Sequence, residues 1–277
     1  MNNENKMSKL DIIENKYQTK PWIFAAITIF AYFMLSFIAP LLYQVILMIF
    51  YAATHGGDLG LEDGAALMFY NSFTHIITYT VLTPVIIILS IFALKQDVIK
   101  FKNRNKLITG VVSTAAAPIV MFISMYVISI IMLLLGLSDT SDNQEALNNV
   151  LFGPYKIGII VTVVLMAPVI EELVFRKSIH TCIMPNTKSI ESRIIRVLVS
   201  GICFGMLHVI SPIIQYISIG EFVNALRALL QVFPYLVMGF VFGALYEVND
   251  GNVIPGIIVH AAWNTISVIS TYISFLS

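Results

Sequence analysis

Ile157-Gly-Ile-Ile-Val-Thr-Val-Val-Leu-Met-Ala-Pro-Val-Ile-Glu-Glu-Leu-Val-Phe-Arg176 is an apolar run that ends in two adjacent glutamates, Glu171 and Glu172, with Arg176 closing the segment behind them. No other Asp or Glu sits so deep in a hydrophobic stretch of the sequence. A carboxylate surrounded by lipid or packed helices costs about 2.5 to 3.5 kcal/mol even on lenient insertion scales, so a pair of them points to function.

Working outward, hydrophobic residues make up 58% of the 277 and charged residues only 12%, with a mean hydropathy of +0.85. Soluble domains carry about 25% charged residues, so this is a polytopic membrane protein. The net charge of +0 by itself says nothing about nucleic acid or acidic partners; for a membrane protein of this kind no nucleic-acid partner is expected. The two cysteines, Cys182 and Cys203, are too few for a disulfide framework and fit no metal spacing.

Apolar spans near the ~20 residues needed to cross a bilayer run about 21 to 51, 68 to 94, 107 to 136, 155 to 175, 197 to 219, 230 to 247 and 252 to 275. The expected fold is all-α, a transmembrane helical bundle of about seven spans in the lipid bilayer. No internal repeat or second folded domain is visible. The chain divides into a polar tail, residues 1–20, N-terminal spans over 21–150 and a motif-bearing core over 151–277.

Charge alternates between the loops. Lys6, Lys9, Lys16 and Lys20 precede the first span, Lys95 to Lys106 follow the second, and Arg176, Lys177, Lys188, Arg193 and Arg196 follow the fourth. The intervening loops hold Asp58, Glu62, Asp63, Asp139, Asp142 and Glu145 without Lys or Arg. Positive-inside counting therefore predicts a multi-pass protein with a cytoplasmic N-terminus, and the polar, lysine-bearing tail and simple topology look like those of a bacterial plasma-membrane protein. The turn Glu247-Val-Asn-Asp-Gly251 has no positive charge, which leaves the side of the C-terminus open.

Three polar faces stand out at membrane depth. Glu172 and Arg176 are four apart with the acid first, a spacing that lets them pair on one helix face. Glu171 is rotated by about 100° and left available to titrate. Pro168 is expected to kink the helix and admit water; the competing reading ends the helix at Ile170 and leaves both acids in a charged flank. His208 lies in a second run, where Gly201 and Gly205 mark a face for close helix approach and Phe204 sits one turn away, a candidate substrate contact. His260 and Asn264, again four apart, share a face of the last span.

Three helices can bury such faces only against one another, which builds a polar cavity in an apolar bundle. Carboxylate, histidine and trapped water together make a hydrolase constellation. A histidine with an asparagine amide can stabilise an oxyanion. Glu171, His208 and His260 could alternatively supply three zinc ligands with an open fourth position. Measured from Arg176, Asp250 and Arg196 at about 1.5 Å per residue, Glu171, His260 and His208 lie roughly 8, 15 and 18 Å deep, so the three do not quite coincide. The chemistry is expected in the cytoplasmic half of the membrane, reached from that side.

The segments Ala167 to Arg176, Ser200 to His208, Gly239 to Glu247 and Asn252 to Asn264 resemble the CAAX protease and bacteriocin-processing family of intramembrane proteases, also called CPBP or Abi. The resemblance covers about residues 155 to 270. It implies an endopeptidase acting on a membrane-associated peptide or protein, in which Glu171 and His208 activate water, Glu172 pairs with Arg176, and His260 with Asn264 forms the oxyanion site. It further implies a mechanism without a required cofactor, zinc being the alternative. Lys177 departs from the family pattern, which has glycine after the arginine. Two rival readings are a transporter using buried acids and histidines as a proton relay, with Pro84, Pro168 and Pro234 as helix breaks, and a family member with a regulatory or immunity role that cleaves nothing.

Overall fold

The computed structural model describes residues 9–137, 141–183 and 189–276. Lys6, Asp139 and Lys188, used in the charge pattern, lie outside the described residues. Regular structure among the described residues is all helical: α1 (Lys9–Thr19), α2 (Pro21–Thr54), α3 (Gly64–Leu89), α4 (Ile91–Lys100), α5 (Arg104–Leu134), α6 (Asp142–Leu151), α7 (Lys156–Cys182), α8 (Ile190–Ser218), α9 (Phe222–Leu230), α10 (Val232–Val248) and α11 (Ile254–Leu276). Seven spans among them are long and apolar enough to cross a membrane, α9 and α10 forming one. The chain is a multi-pass membrane bundle.

Helix α7 is the axis of the bundle. In its most apolar window 44% of residues are buried, against 0% for α2, which marks α2 as peripheral. Ile170, Leu173, Val174 and Phe175 of α7 pack with Leu82 and Ile86 of α3, Met121 of α5, Phe204 of α8, Phe242 of α10 and Val259 of α11 into the main core. Leu41, Ile46, Ile123 and Leu134 are exposed, as side chains facing lipid should be.

Small residues set the closest helix pair. A Cβ on Gly239 would fall 2.7 Å from Gly201 Cα and O, so α8 and α10 touch through backbone there. The same approach brings the Gly239 carbonyl within reach of α7, where it accepts from Arg176 Nη2 at 3.1 Å.

The span containing the glutamates runs to Cys182, well past the boundary at 175 expected from hydropathy. Arg176 is therefore fully buried inside the bundle and does not flank it. The reading that ends the helix at Ile170 is excluded by the same observation. From Glu171 to Cys182 is about 16 Å at helical rise, which removes the depth mismatch with His260 and His208.

One end of the bundle is closed by charge. Asp97 of α4 is fully buried, with Lys177 Nζ 2.7 Å from both its oxygens, Lys100 Nζ at 2.9 Å and the Val253 N–H at 3.2 Å. Lys177 and Lys100 also donate to the Gly251 carbonyl, at 2.9 and 3.1 Å. Asp250 and Gly251 adopt positive φ, 52° and 71°, in this turn. Glu247 joins the same end through Arg196 Nε at 2.7 Å. The turn between α10 and α11 thus lies with the lysine-rich segment 95–106, which answers the ambiguity in charge counting: α11 crosses and ends at the opposite face.

Candidate active site

Two π-helical segments in α7, Thr162–Met166 and Glu172–Ile179, bracket the short α-helical stretch Ala167–Glu171. In the first, the Ala167 N–H reaches five residues back to Thr162 O. Pro168 has no N–H to continue that register, which leaves the Val163 carbonyl without its helical donor. Asn264 Nδ2 of α11 donates to that carbonyl at 2.9 Å. The proline expected to kink the helix instead follows a widened turn and creates an anchor for α11.

Glu172 is fully buried. Its Oε1 lies 3.5 Å from Arg176 Nη1 and accepts from His260 Nδ1 at 3.2 Å. A Cβ on Gly256 would land 2.7 Å from Glu172 Oε2, so glycine is needed there to seat the carboxylate. The Arg176 guanidinium is enclosed by Phe204, Phe242 and Phe175, with ring centroids 4.6, 5.3 and 5.7 Å from Cζ. These aromatic faces compensate part of the water it has lost.

Glu171 diverges from its neighbour, as the helical period requires. Its Oε2 has no hydrogen-bond partner, and the nearest basic atom is His260 Nε2 at 3.7 Å. The two ring nitrogens of His260 therefore face the two carboxylates, one bonded and one not. The ring is fixed by stacking on Phe242 at 4.6 Å and 22°.

His208 approaches from α8. Its Nδ1 is 2.8 Å from the Phe204 carbonyl, which can only accept, so Nδ1 carries a proton and Nε2 is the basic nitrogen of the neutral ring. Tyr235 stacks on this imidazole at 4.4 Å and 19°. Phe204, the candidate substrate contact, is fully buried beneath Arg176, His208 and His260 and does not line the cavity. It lies one turn from His208 on the same helix face and packs between the histidine rings and the Arg176 guanidinium.

A cavity of about 520 Å³ brings Glu171, His208, His260 and Asn264 together. Glu172 and Arg176 lie behind its wall. The cavity extends along α3, α7 and α11 to α6, where Gln144 and Asn149 line it, and so opens at the end away from the charged turn. The expected entry from the lysine-rich side is corrected by this geometry: Asp97, Lys177 and the 250–251 turn occupy that end.

The sequence reading missed contributions from the second span. Asn71, His75 and Tyr79 of α3 line the cavity, and His75 Nε2 lies 3.0 Å from Thr162 Oγ1 of α7. Their i, i+4, i+8 spacing was the available signal, a polar stripe along one helix face. Among the described residues no three His, Cys, Asp or Glu side chains are grouped to hold a metal ion.

Fold and site together define a polytopic membrane protein with a glutamate–histidine cavity at mid-depth. Residues 153–266 match the family described as type II CAAX prenyl endopeptidase, Rce1-like, which supports the resemblance of this part of the chain to the CAAX proteases. An uncharacterized protein of Mycoplasma capricolum is 29% identical over 217 residues, covering 72% of this chain and 56% of the relative. The chain thus spans about half the length of that relative. No solved structure matches the chain significantly.

Proposed function

We propose that this chain is an intramembrane endopeptidase that hydrolyses a peptide bond of a membrane-associated peptide or protein, with Glu171 as general base. The observation that carries the reading is the Glu171 carboxylate: buried at 9% exposure, with Oε2 unpartnered, it borders a cavity that also holds two histidines. Glu172, whose Oε2 likewise has no hydrogen-bond partner, lies behind the cavity wall with its Oε1 held by His260 and faced by Arg176, so it is placement at the cavity that singles out Glu171.

In the proposed reaction Glu171, with His208 Nε2, takes a proton from water as the water oxygen attacks the scissile carbonyl carbon. The carbonyl oxygen becomes an oxyanion, held by His260 and Asn264. Collapse breaks the C–N bond, the proton held on Glu171 passes to the leaving amine, and a carboxylic acid and an amine leave, the acid then ionising to solvent. Glu172 and Arg176 are positioning residues that fix His260 through its Nδ1. Only protein groups take part, and the protein is proposed to need no metal.

The test compares membrane and released peptides from cells carrying the wild type, Glu171→Ala and His208→Ala. Peptides present with the wild type should be missing in both variants, while both proteins stay inserted and monodisperse. Identical peptide patterns would remove the proteolytic mechanism. Purified enzyme stripped by chelator and shown metal-free should keep its activity; loss restored by zinc would replace the metal-free scheme.

A further inference from the structure

The cavity has a direction. On α7 its lining runs from Glu171 to Val163, on α11 from His260 to Val268 and on α3 from Tyr79 to Asn71. Each path covers eight residues, about 12 Å at helical rise. Helices α3 and α7 run toward the closed end and α11 away from it, yet all three paths lead the same way, to α6. Below Glu171, His260 and Tyr79 the bundle is filled by the main core, and the separate pocket at the Asp97 end shares no lining residue with the cavity.

Charge gives this direction a sidedness. Lys16, Lys20, Lys95, Lys100, Lys102, Arg104, Lys106, Arg193 and Arg196 all belong to the closed end, beside or beyond the termini of α2, α3, α5, α7, α8 and α10. Among the described residues only Lys156 and Arg227 belong to the cavity end, which carries Asp58, Glu62, Asp63, Asp142, Glu145 and Glu221. Lys and Arg in short loops are retained on the cytoplasmic side during insertion.

We propose that the cavity opens to the extracytoplasmic face, so that a substrate reaches Glu171 from outside the membrane, as an exported peptide or the outer-leaflet part of an anchored one. The accessibility stands on the cavity and the charges; that the entering chain is cleaved rests on the function proposed above. The cytoplasmic end is a plug, with Lys177 tying α7 to α4 and to the turn before α11.

The experiment reads accessibility without reference to catalysis. In full-length protein with Cys182→Ser and Cys203→Ala, single cysteines are placed by Asn149→Cys at the cavity mouth, Ser267→Cys within it and Lys102→Cys at the closed end. Intact cells are treated with a membrane-impermeant charged thiol reagent, and again after lysis. Cysteines at 149 and 267 should label fully in intact cells and the one at 102 only after lysis. Labelling of 102 in intact cells, or of 149 only after lysis, overturns the proposal, as does a cysteine at 267 that labels only after lysis or from neither side. Asn149 and Lys102 are exposed, so their substitution should leave the fold intact. External labelling in a protein whose Glu171→Ala variant leaves the peptide pattern unchanged would sink the protease reading and leave the sidedness standing.

Discussion

At the closed end of the bundle a buried carboxylate, Asp97, is enclosed by two lysines and a backbone N–H, and the pocket of about 570 Å³ beside it, lined by Lys100, Lys177 and Glu247, shares no lining residue with the mid-depth cavity. At mid-depth another carboxylate, Glu171, keeps an oxygen without a hydrogen-bond partner, and the helices around it part to leave about 520 Å³. Both acids sit in low-dielectric surroundings, where a lone charge is expensive and a satisfied one can serve as a clamp. The pairing therefore separates architecture from reactivity. Glu172 belongs with Asp97 on the architectural side, although it adjoins Glu171 in sequence.

The largest way to break this division is to strip a clamp of its cation. Arg176→Met keeps much of the side-chain volume but leaves Glu172 buried with only His260 beside it, and should cost about 3 to 5 kcal/mol. Thermal unfolding in detergent, followed by loss of the monodisperse peak, should show a large drop or no folded protein at all. Adding Glu172→Gln should recover part of the loss, because the uncompensated charge is gone. An unchanged midpoint for the single variant would show that the pair is not a clamp.

Asp97→Asn is the matching perturbation at the closed end. It leaves Lys177 and Lys100 without their acid, and because both side chains reach some solvent the cost should be smaller, about 1 to 3 kcal/mol. The folded fraction should retain cleavage of membrane peptides, since the cavity is untouched. Lost cleavage at full stability would place Asp97 with the reactive group instead.

Much of this division was legible in the sequence. Hydropathy located seven spans, and the i, i+4 spacing paired Glu172 with Arg176. Gly201 and Gly205 marked the face on which α10 packs, where Phe240, Gly239 and Leu236 crowd them. What was illegible depended on long-range packing. Asp97 lies in a polar, lysine-bearing stretch that reads as solvated loop, and only the fold shows Lys177 and Val253 closing over it. The direction of the cavity is not legible because Arg176 reads in the sequence as a membrane boundary, whereas the aromatic rings of Phe204 and Phe242 allow a guanidinium to sit inside. His75 was passed over because single histidines on apolar faces carry little information until a second helix supplies Thr162.

A smaller effect is expected at Asn264, which belongs partly to each side of the comparison. Its amide anchors the carbonyl left over by Pro168 and also lines the cavity. Asn264→Ala should lower stability by about 1 kcal/mol, the ordinary net value of one hydrogen bond. Cleavage should fall much further than that loss explains, by about 100-fold or more, as for removal of an oxyanion donor. Equal small losses in both measurements would make Asn264 an anchor only.

The smallest stability change should come from the residue with the largest catalytic effect. Glu171→Gln removes a charge that has no hydrogen-bonded partner at Oε2, and the nearest imidazole nitrogen, at 3.7 Å, is too distant to count as a bond. Replacing that carboxylate by a neutral isostere ends the cost of holding an unpaired charge in the bundle, so the thermal midpoint should stay level or rise. Glu172→Gln, one residue away, should lower it, because that change removes the counter-charge of a fully buried arginine. Opposite signs at adjacent glutamates, measured in the same detergent and at the same pH, would tie the division to pairing and not to depth. A drop of equal size in both would mean that Glu171 is held by contacts as firm as those of its neighbour, and the contrast between the two ends of the bundle would lose its physical basis.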